Sequence, residues 1–196
     1  MDERWRFSDT HRERAPRQAL HAAAAALRID EAETRDEVVE ALLALCLRFF
    51  RRVAFFIVRE PWVIGWNGAG EGMDRTLAMS LKIPLDRPSV FKSVTRDKTV
   101  FVGRLGPEEE NQRFLKALAK RPASGAALFP VAMKGRVVNL VYGDSGASGN
   151  VKPDLGEFLV LLQKVPRAYL RIVRKRIAET RKATGAGPGE EERESE

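Results

Sequence analysis

Side chains able to carry acid–base, nucleophilic or metal chemistry are few in this sequence and stand far apart. The histidines are His11 and His21, near the amino terminus, and the single cysteine is Cys46. No Ser/His/Asp or Cys/His set can be assembled from them within the regularly patterned body of the chain, so catalysis is not expected. One cysteine cannot close an internal disulfide, and no His/Cys spacing suits zinc, so neither a metal nor another cofactor is expected. Two polar stretches invite a chemical reading. Glu108, Glu109 and Glu110 stand together, but Lys116 and Lys120 follow, and the set reads as charges suited to the dipole of a helix over residues 107–120. Asn67 to Gly72 is glycine-rich, yet it lacks the spacing and the Lys-Ser/Thr of a phosphate-binding loop and reads as a mobile connector.

What remains is charge. The net +7 includes five Glu against one Arg in residues 183–196, which leaves +11 for residues 1–182. Such an excess attracts anionic partners in general. Much of it falls late in the chain, where Lys164, Arg167, Arg171, Arg174 and Lys175 form a basic stripe beside an apolar one of Tyr169, Leu170, Val173 and Ile177. Those five cations are the expected partner-binding residues, on a helix suited to dimer packing or to an acidic partner. Nucleic-acid binding is not expected, because no helix-turn-helix or aromatic ribonucleoprotein motif accompanies the charge.

The elements that would position these groups alternate between helical and strand periods. Ala19 to Arg28 is an alanine-rich helix of small apolar payload, marginal alone. Thr34 and Glu37 form a capping box ahead of a helix with Val38, Leu42, Leu45, Cys46 and Phe49 on one face. Val39, Leu43, Leu47 and Phe50 widen that face, so the helix either serves both a sheet and a second subunit or lies buried in its own domain. Arg52 to Arg59 and Trp62 to Trp66 read as strands around Pro61, and Leu77 to Leu85 as a third. Val90 to Thr95 is a short helix and Thr99 to Val102 another strand. At the centre stands Ala126 to Asp144, two strand-period runs joined at Lys134-Gly135. A turn closed by Met133 and Arg136 pairs Val131 with Val138, Phe129 with Leu140 and Ala127 with Tyr142 on one face. Ala132/Val137, Pro130/Asn139 and Leu128/Val141 then share the other. Both faces are apolar, which places this hairpin in mid-sheet. A last helix from about residue 153 past Arg176 covers the sheet with Leu155, Phe158, Leu159, Leu162 and Val165, and Pro166 kinks it.

Phe129-Pro130-Val131, the strand Val138 to Tyr142 and the helix that follows resemble the closing half of a GAF domain, over roughly Thr34 to Arg176. The resemblance implies an α+β fold: a central antiparallel sheet with the N- and C-terminal helices on one face and short helices and loops on the other. It also implies a ligand hollow beside the central hairpin, with Trp66, Met79, Phe91, Val94, Phe101 and Tyr142 as its apolar wall and Ser93 or Asn139 as polar contacts. Ordinary core packing is the alternative for these side chains. Asn139 departs from the glycine that many members carry. The cysteines of GAF-fold methionine-sulfoxide reductases, the bilin cysteine of phytochromes and the cyclic-nucleotide motif have no counterpart here.

Three segments are expected: an N-terminal extension, 1–33; a GAF-like domain with an extended C-terminal helix, 34–182; and a disordered acidic tail, 183–196. The expected function is a non-catalytic sensory or regulatory module, homodimeric through its flanking helices, that binds a small molecule or a partner and acts on a separate signalling protein. The alternative is a ligand-free interaction scaffold presenting the basic helix. No run of about 18 apolar residues exists to span a bilayer, and the charged start MDERWRFSDTHRERAP lacks the apolar core of a secretion signal, so a cytoplasmic location without membrane insertion is expected.

Overall fold

Thr34 caps the helix it announces. Its Oγ1 accepts the Glu37 N–H at 3.2 Å, and Glu37 Oε2 accepts the N–H of Glu33 at 2.8 Å. These hydrogen bonds satisfy donors that a helix start leaves open, and they hold the Glu37 carboxyl below its ordinary pKa. The computed structural model describes residues 22–118, 125–146 and 155–183. A helix over 22–31 (α1) is followed by α2 (Arg35–Cys46), β1 (Arg52–Arg59), β2 (Trp62–Gly70), α3 (Arg75–Ser80), β3 (Lys82–Pro84), α4 (Val90–Asp97) and β4 (Phe101–Gly103). Then come α5 (Glu109–Ala117), β5 (Ala126–Met133), β6 (Arg136–Asp144), α6 (Leu155–Leu162) and α7 (Lys164–Ala183).

The six strands form one antiparallel sheet in the order β3-β2-β1-β6-β5-β4, so the β5–β6 hairpin lies inside the sheet as its apolar faces require. Alternate side chains divide the core. Val53, Phe55, Ala127, Phe129, Val131 and Val141 face a layer made by α1, α2, α6 and α7. Ala54, Phe56, Leu128, Leu140 and Tyr142 face α3, α4 and α5. This is the α+β arrangement expected from the sequence, and the helical layer closes over the sheet through Phe158, which meets Phe129 edge-on at 4.4 Å.

Several local expectations are corrected. Lys134 and Gly135 both take positive φ, 51° and 76°, the geometry of a two-residue hairpin turn. Ala132 pairs with Val137 as expected, but a bulge then leaves Val138 without a counterpart. Val131 consequently faces Asn139 and Phe129 faces Val141, one residue out from the regular register. Asn67 to Gly70 is strand, not connector. Another bulge, at Trp66, sets Phe55 opposite Asn67 and Phe56 opposite Gly65. Gly65 is required there, because a Cβ would lie 1.7 Å from the Ala78 carbonyl oxygen. Leu77 to Leu85 is not one strand: Asp74 accepts the Leu77 N–H at 2.7 Å and starts α3, and only Lys82–Pro84 joins the sheet. The last helix breaks at Gln163, ahead of Pro166, which sits in the first turn of α7. Proline at 166 has no N–H for the Leu162 carbonyl and crowds it, so the chain restarts its helix after that residue. The 183–196 tail, apart from Ala183 at the end of α7, lies outside the described residues, as do His11 and His21.

Candidate functional site

The space between the sheet and α4/α5, where an apolar hollow was expected, is filled by aromatic rings. Phe56 meets Phe91 at 5.7 Å, Phe91 meets Phe114 at 4.9 Å, and Phe114 meets Tyr142 at 4.9 Å, all edge-on. Such contacts give a dense, oriented packing. Phe91, Val94 and Tyr142, three of the expected ligand contacts, are therefore buried core residues of this cluster. The ordinary packing alternative holds for them.

The Tyr142 hydroxyl donates to Asp144 Oδ2 at 2.7 Å, and Arg52 Nε donates to the same oxygen at 2.8 Å. Asp144 Oδ1 accepts the Gly146 N–H at 2.7 Å, while Arg52 Nη1 reaches the Leu118 carbonyl at 3.4 Å. Burial, then the Asp144 charge and hydrogen bond, push the Tyr142 phenol well above its usual pKa. This buried network ties β1 and β6 to the end of α5. Sequence spacing gave no sign of it, since Arg52 and Asp144 are 92 residues apart.

The other expected contacts scatter. Trp66 is on the opposite side of the sheet, packed against the helical layer with Nε1 donating to Asp36 Oδ1 at 2.8 Å. The cause is the bulge, which a strict alternation of faces does not anticipate. Met79 is exposed on α3. Asn139 is buried; its Nδ2 donates to the Phe56 carbonyl at 3.2 Å, and its Oδ1 has no partner among the described residues. Ser93 and Phe101 do share a hollow. They line an open cleft of about 470 Å³ between α4, β4 and the β4–α5 connector, together with Lys92, Arg96, Arg104 and Asn111. Asn111 is held there by Val90 N–H at 3.0 Å and by Glu108 at 2.6 Å. Arg96 is engaged by Asp97 at 2.7 and 3.0 Å, a bond that holds the Asp97 carboxyl below its usual range. The lining of the cleft is mixed: Val90, Pro88 and Phe101 stand beside Lys92, Arg96, Arg104 and the Glu108 carboxylate. Sequence reasoning missed Arg96 and Arg104, whose convergence depends on how α4 and the connector meet.

Chemistry is sparse around it. Among the described residues, no group of three His, Cys, Asp or Glu could hold a metal ion. Cys46 is fully buried on α2, and that burial pushes its thiol up, away from the reactive thiolate. Glu110, read from sequence as part of a helix charge cap, is buried between Arg87 and Arg113, at 3.1 and 3.2 Å.

The helical layer holds the second candidate surface. Lys164 pairs with Asp30, Lys175 Nζ reaches Glu33 Oε1 at 2.6 Å, and Arg171 Nη2 donates to the carbonyls of Ile29 and Ala32 at 3.1 and 2.8 Å. These residues clip α7 to the end of α1, whose open carbonyls need donors. Three of the five expected partner-binding cations are thus engaged within the chain. Arg167 and Arg174 stay exposed, in line with Leu170 and Ile177, and every residue from Arg174 to Lys182 is exposed. Of the second apolar stripe of α2, proposed for a subunit contact, Val39 and Leu43 are covered by α1 and α7, buried with Ile29, Ala168, Tyr169 and Ile172, and Phe50 is buried, while Leu47 is exposed.

No family model matches the sequence, and no curated protein matches it by sequence. Solved structures do match the fold. The GAF domain from a phosphoenolpyruvate-protein phosphotransferase from Coxiella burnetii has a TM-score of 0.66 at 10% identity, covering 82% of this chain and 96% of that one. The phycoerythrobilin-bound GAF domain from a cyanobacterial phytochrome has a TM-score of 0.61 at 11% identity, covering 81% and 99%. A free methionine-R-sulfoxide reductase from Neisseria meningitidis, in complex with its substrate, has a TM-score of 0.55 at 15% identity, covering 79% and 93%. The fold thus serves a bilin-bound phytochrome domain and an enzyme alike, and with its sheet order, its two helical layers and these matches, this chain has the GAF fold.

Proposed function

We propose that the chain is a non-catalytic, cytoplasmic regulatory module that acts on a separate protein through its helical layer, with α7 as the contact surface. The observation that carries this reading is the combination on α7: clipped to α1 through Lys164, Arg171 and Lys175, and exposed along every residue from Arg174 to Lys182. A helix anchored at one end and bare at the other is a lever whose outer face has no role in the chain's own core. The closed interior supports the same reading, because Phe56, Phe91, Phe114 and Tyr142 occupy the place where an apolar ligand would sit. Burial of the sole thiol, Cys46, speaks against a thiol-based activity. Homodimerisation through the α2 stripe loses most of its support, since Val39, Leu43 and Phe50 are buried within the chain and Leu47 alone of the stripe is exposed. A photo-crosslinking residue at position 177 should give a discrete protein adduct in cells, and one at position 93 should not. Adducts at 93 alone would refute the proposal.

A second reading is favoured by the cleft itself. Lys92, Arg96 and Arg104, with Ser93, outnumber the one carboxylate of the lining, Glu108, and suit a small ligand with an anionic end, of about the size that a 470 Å³ cleft admits. A thermal-shift screen of carboxylates and phosphates, repeated with Arg96→Glu, tests it. No shift from any anion, or shifts that Arg96→Glu leaves unchanged, would remove this reading.

A further inference from the structure

α7 carries a heptad register on the face turned away from its clips to α1. Leu170, Val173 and Ile177 follow one another at spacings of three and four, the a and d positions of a helix-pairing seam. Counted from them, Arg167 and Arg174 fall at e and Arg176 at g, beside the apolar line. The cations that clip to α1, Lys164, Arg171 and Lys175, fall at b and f, off the seam. Leu170 and Val173 are half-buried, while Arg167, Arg174, Arg176 and Ile177 are exposed. No ion pair among the described residues engages the three seam arginines.

Residues 164–178 hold six Lys and Arg and no Asp or Glu. A second copy of this stretch therefore brings no carboxylate to the e and g arginines in either orientation, which disfavours self-pairing. The apolar line is also narrow, and two of its three side chains are half-buried, whereas a helix lying in a lipid surface sinks a broad apolar face into it. A single a/d line with charges on its flanks suits a second helix. Resting on the reading of α7 as the contact surface, we infer that its partner presents an amphipathic helix with apolar residues at a and d and Asp or Glu at the flanking e and g positions. The partner's apolar side chains seat among Leu170, Val173 and Ile177. Its carboxylates meet Arg167, Arg174 and Arg176, whose planar guanidinium groups take carboxylates in forked pairs. The run from 167 to 177 is about 15 Å long at helical rise, so the contact is small, and the sign of its charges selects the partner more than it adds strength.

The probes are fluorescein-labelled peptides of three heptads, added to the full chain and read by anisotropy. One carries Leu at a and d with Glu at e and g; a second has Lys for every Glu; a third keeps the Glu but has Gln at a and d. The first is expected to bind at least about tenfold more tightly than either of the others. Arg174→Glu or Ile177→Glu, each checked for native circular dichroism, should weaken its binding by a similar factor. Both positions are exposed, so neither change disturbs the core. Equal binding of the first and third peptides overturns the inference, because charge alone then accounts for the attraction. So does absence of binding by the first peptide, whether or not the chain attaches to phosphatidylserine vesicles or to a DNA duplex. A crosslink at position 177 without peptide binding would keep α7 as the contact surface and overturn only the chemistry assigned to its partner, so the two proposals fall separately.

Discussion

Asp144 shows how a single buried charge organises one end of the sheet. It holds Arg52, the Tyr142 hydroxyl and the Gly146 amide at once, with no exposure of its own. A buried pair of this kind adds little over an apolar replacement, but removing one partner strands the other without water. Asp144→Ala should therefore cost about 3–5 kcal/mol by urea denaturation, and adding Arg52→Ala to it should cost less than the sum of the two single changes. The tyrosines give a pH prediction. Tyr142 and Tyr169 are the only ones, both buried, and burial raises both phenols above their ordinary value. A raised folded-state pKa contributes stability that is present below the unfolded value, about 10, and is lost as pH climbs beyond it. Phenolate absorbance should thus appear together with loss of the circular-dichroism signal in an alkaline titration; ionisation while the fold persists would show that the rings are accessible. None of this was legible locally. Arg52 and Asp144 stand at the ends of apolar runs, where a charge usually marks the exit to solvent, and only the sheet brings them together.

At the scale of elements, α7 separates structural cations from free ones. Arg171 donates to two carbonyls at the end of α1, whereas Arg174 points away from the body. Arg171→Ala should cost about 1.5–3 kcal/mol, the range for hydrogen bonds from charged groups, while Arg174→Ala should stay within about 0.5 kcal/mol. Equal losses in thermal denaturation would contradict this division. The α4/α5 side makes the parallel case with rings. Phe114 touches Phe56, Phe91 and Tyr142, so Phe114→Ala should cost about 3–5 kcal/mol. Phe101 is half-exposed on the cleft wall, and its replacement by Ala should cost well under that range. Comparable losses for the two would mean that Phe101 belongs to the core. The β5–β6 hairpin was readable because Lys134-Gly135 is a turn dipeptide between apolar runs. Its register was not, because a bulge at Val138 inserts a residue without breaking the apolar pattern. For the same reason α3 looked like strand: Leu77 to Leu85 is apolar enough for either, and the Asp74 cap decides.

For the whole molecule, the layered α+β fold was legible from periodicity, since alternating strands and amphipathic helices admit few arrangements. Whether the fold encloses a ligand was not legible, because Phe91, Phe114 and Tyr142 could line a hollow or fill it with the same sequence pattern. The structure fills it, and leaves a cleft by α4 and the exposed end of α7 as surfaces that the core does not use. No helix among the described residues is long and apolar enough to cross a membrane. The regulatory contact proposed above belongs to α7 and not to the cleft. The most direct measurement compares proteins co-purified from the protein's own cells with the wild-type chain, with Arg167→Glu/Arg174→Glu/Ile177→Glu and with the cleft-filling Ser93→Trp, all checked for native circular dichroism. The α7 variant is expected to lose the specific associations and Ser93→Trp to keep them; loss with Ser93→Trp and retention with the α7 variant would contradict the assignment of the contact to α7.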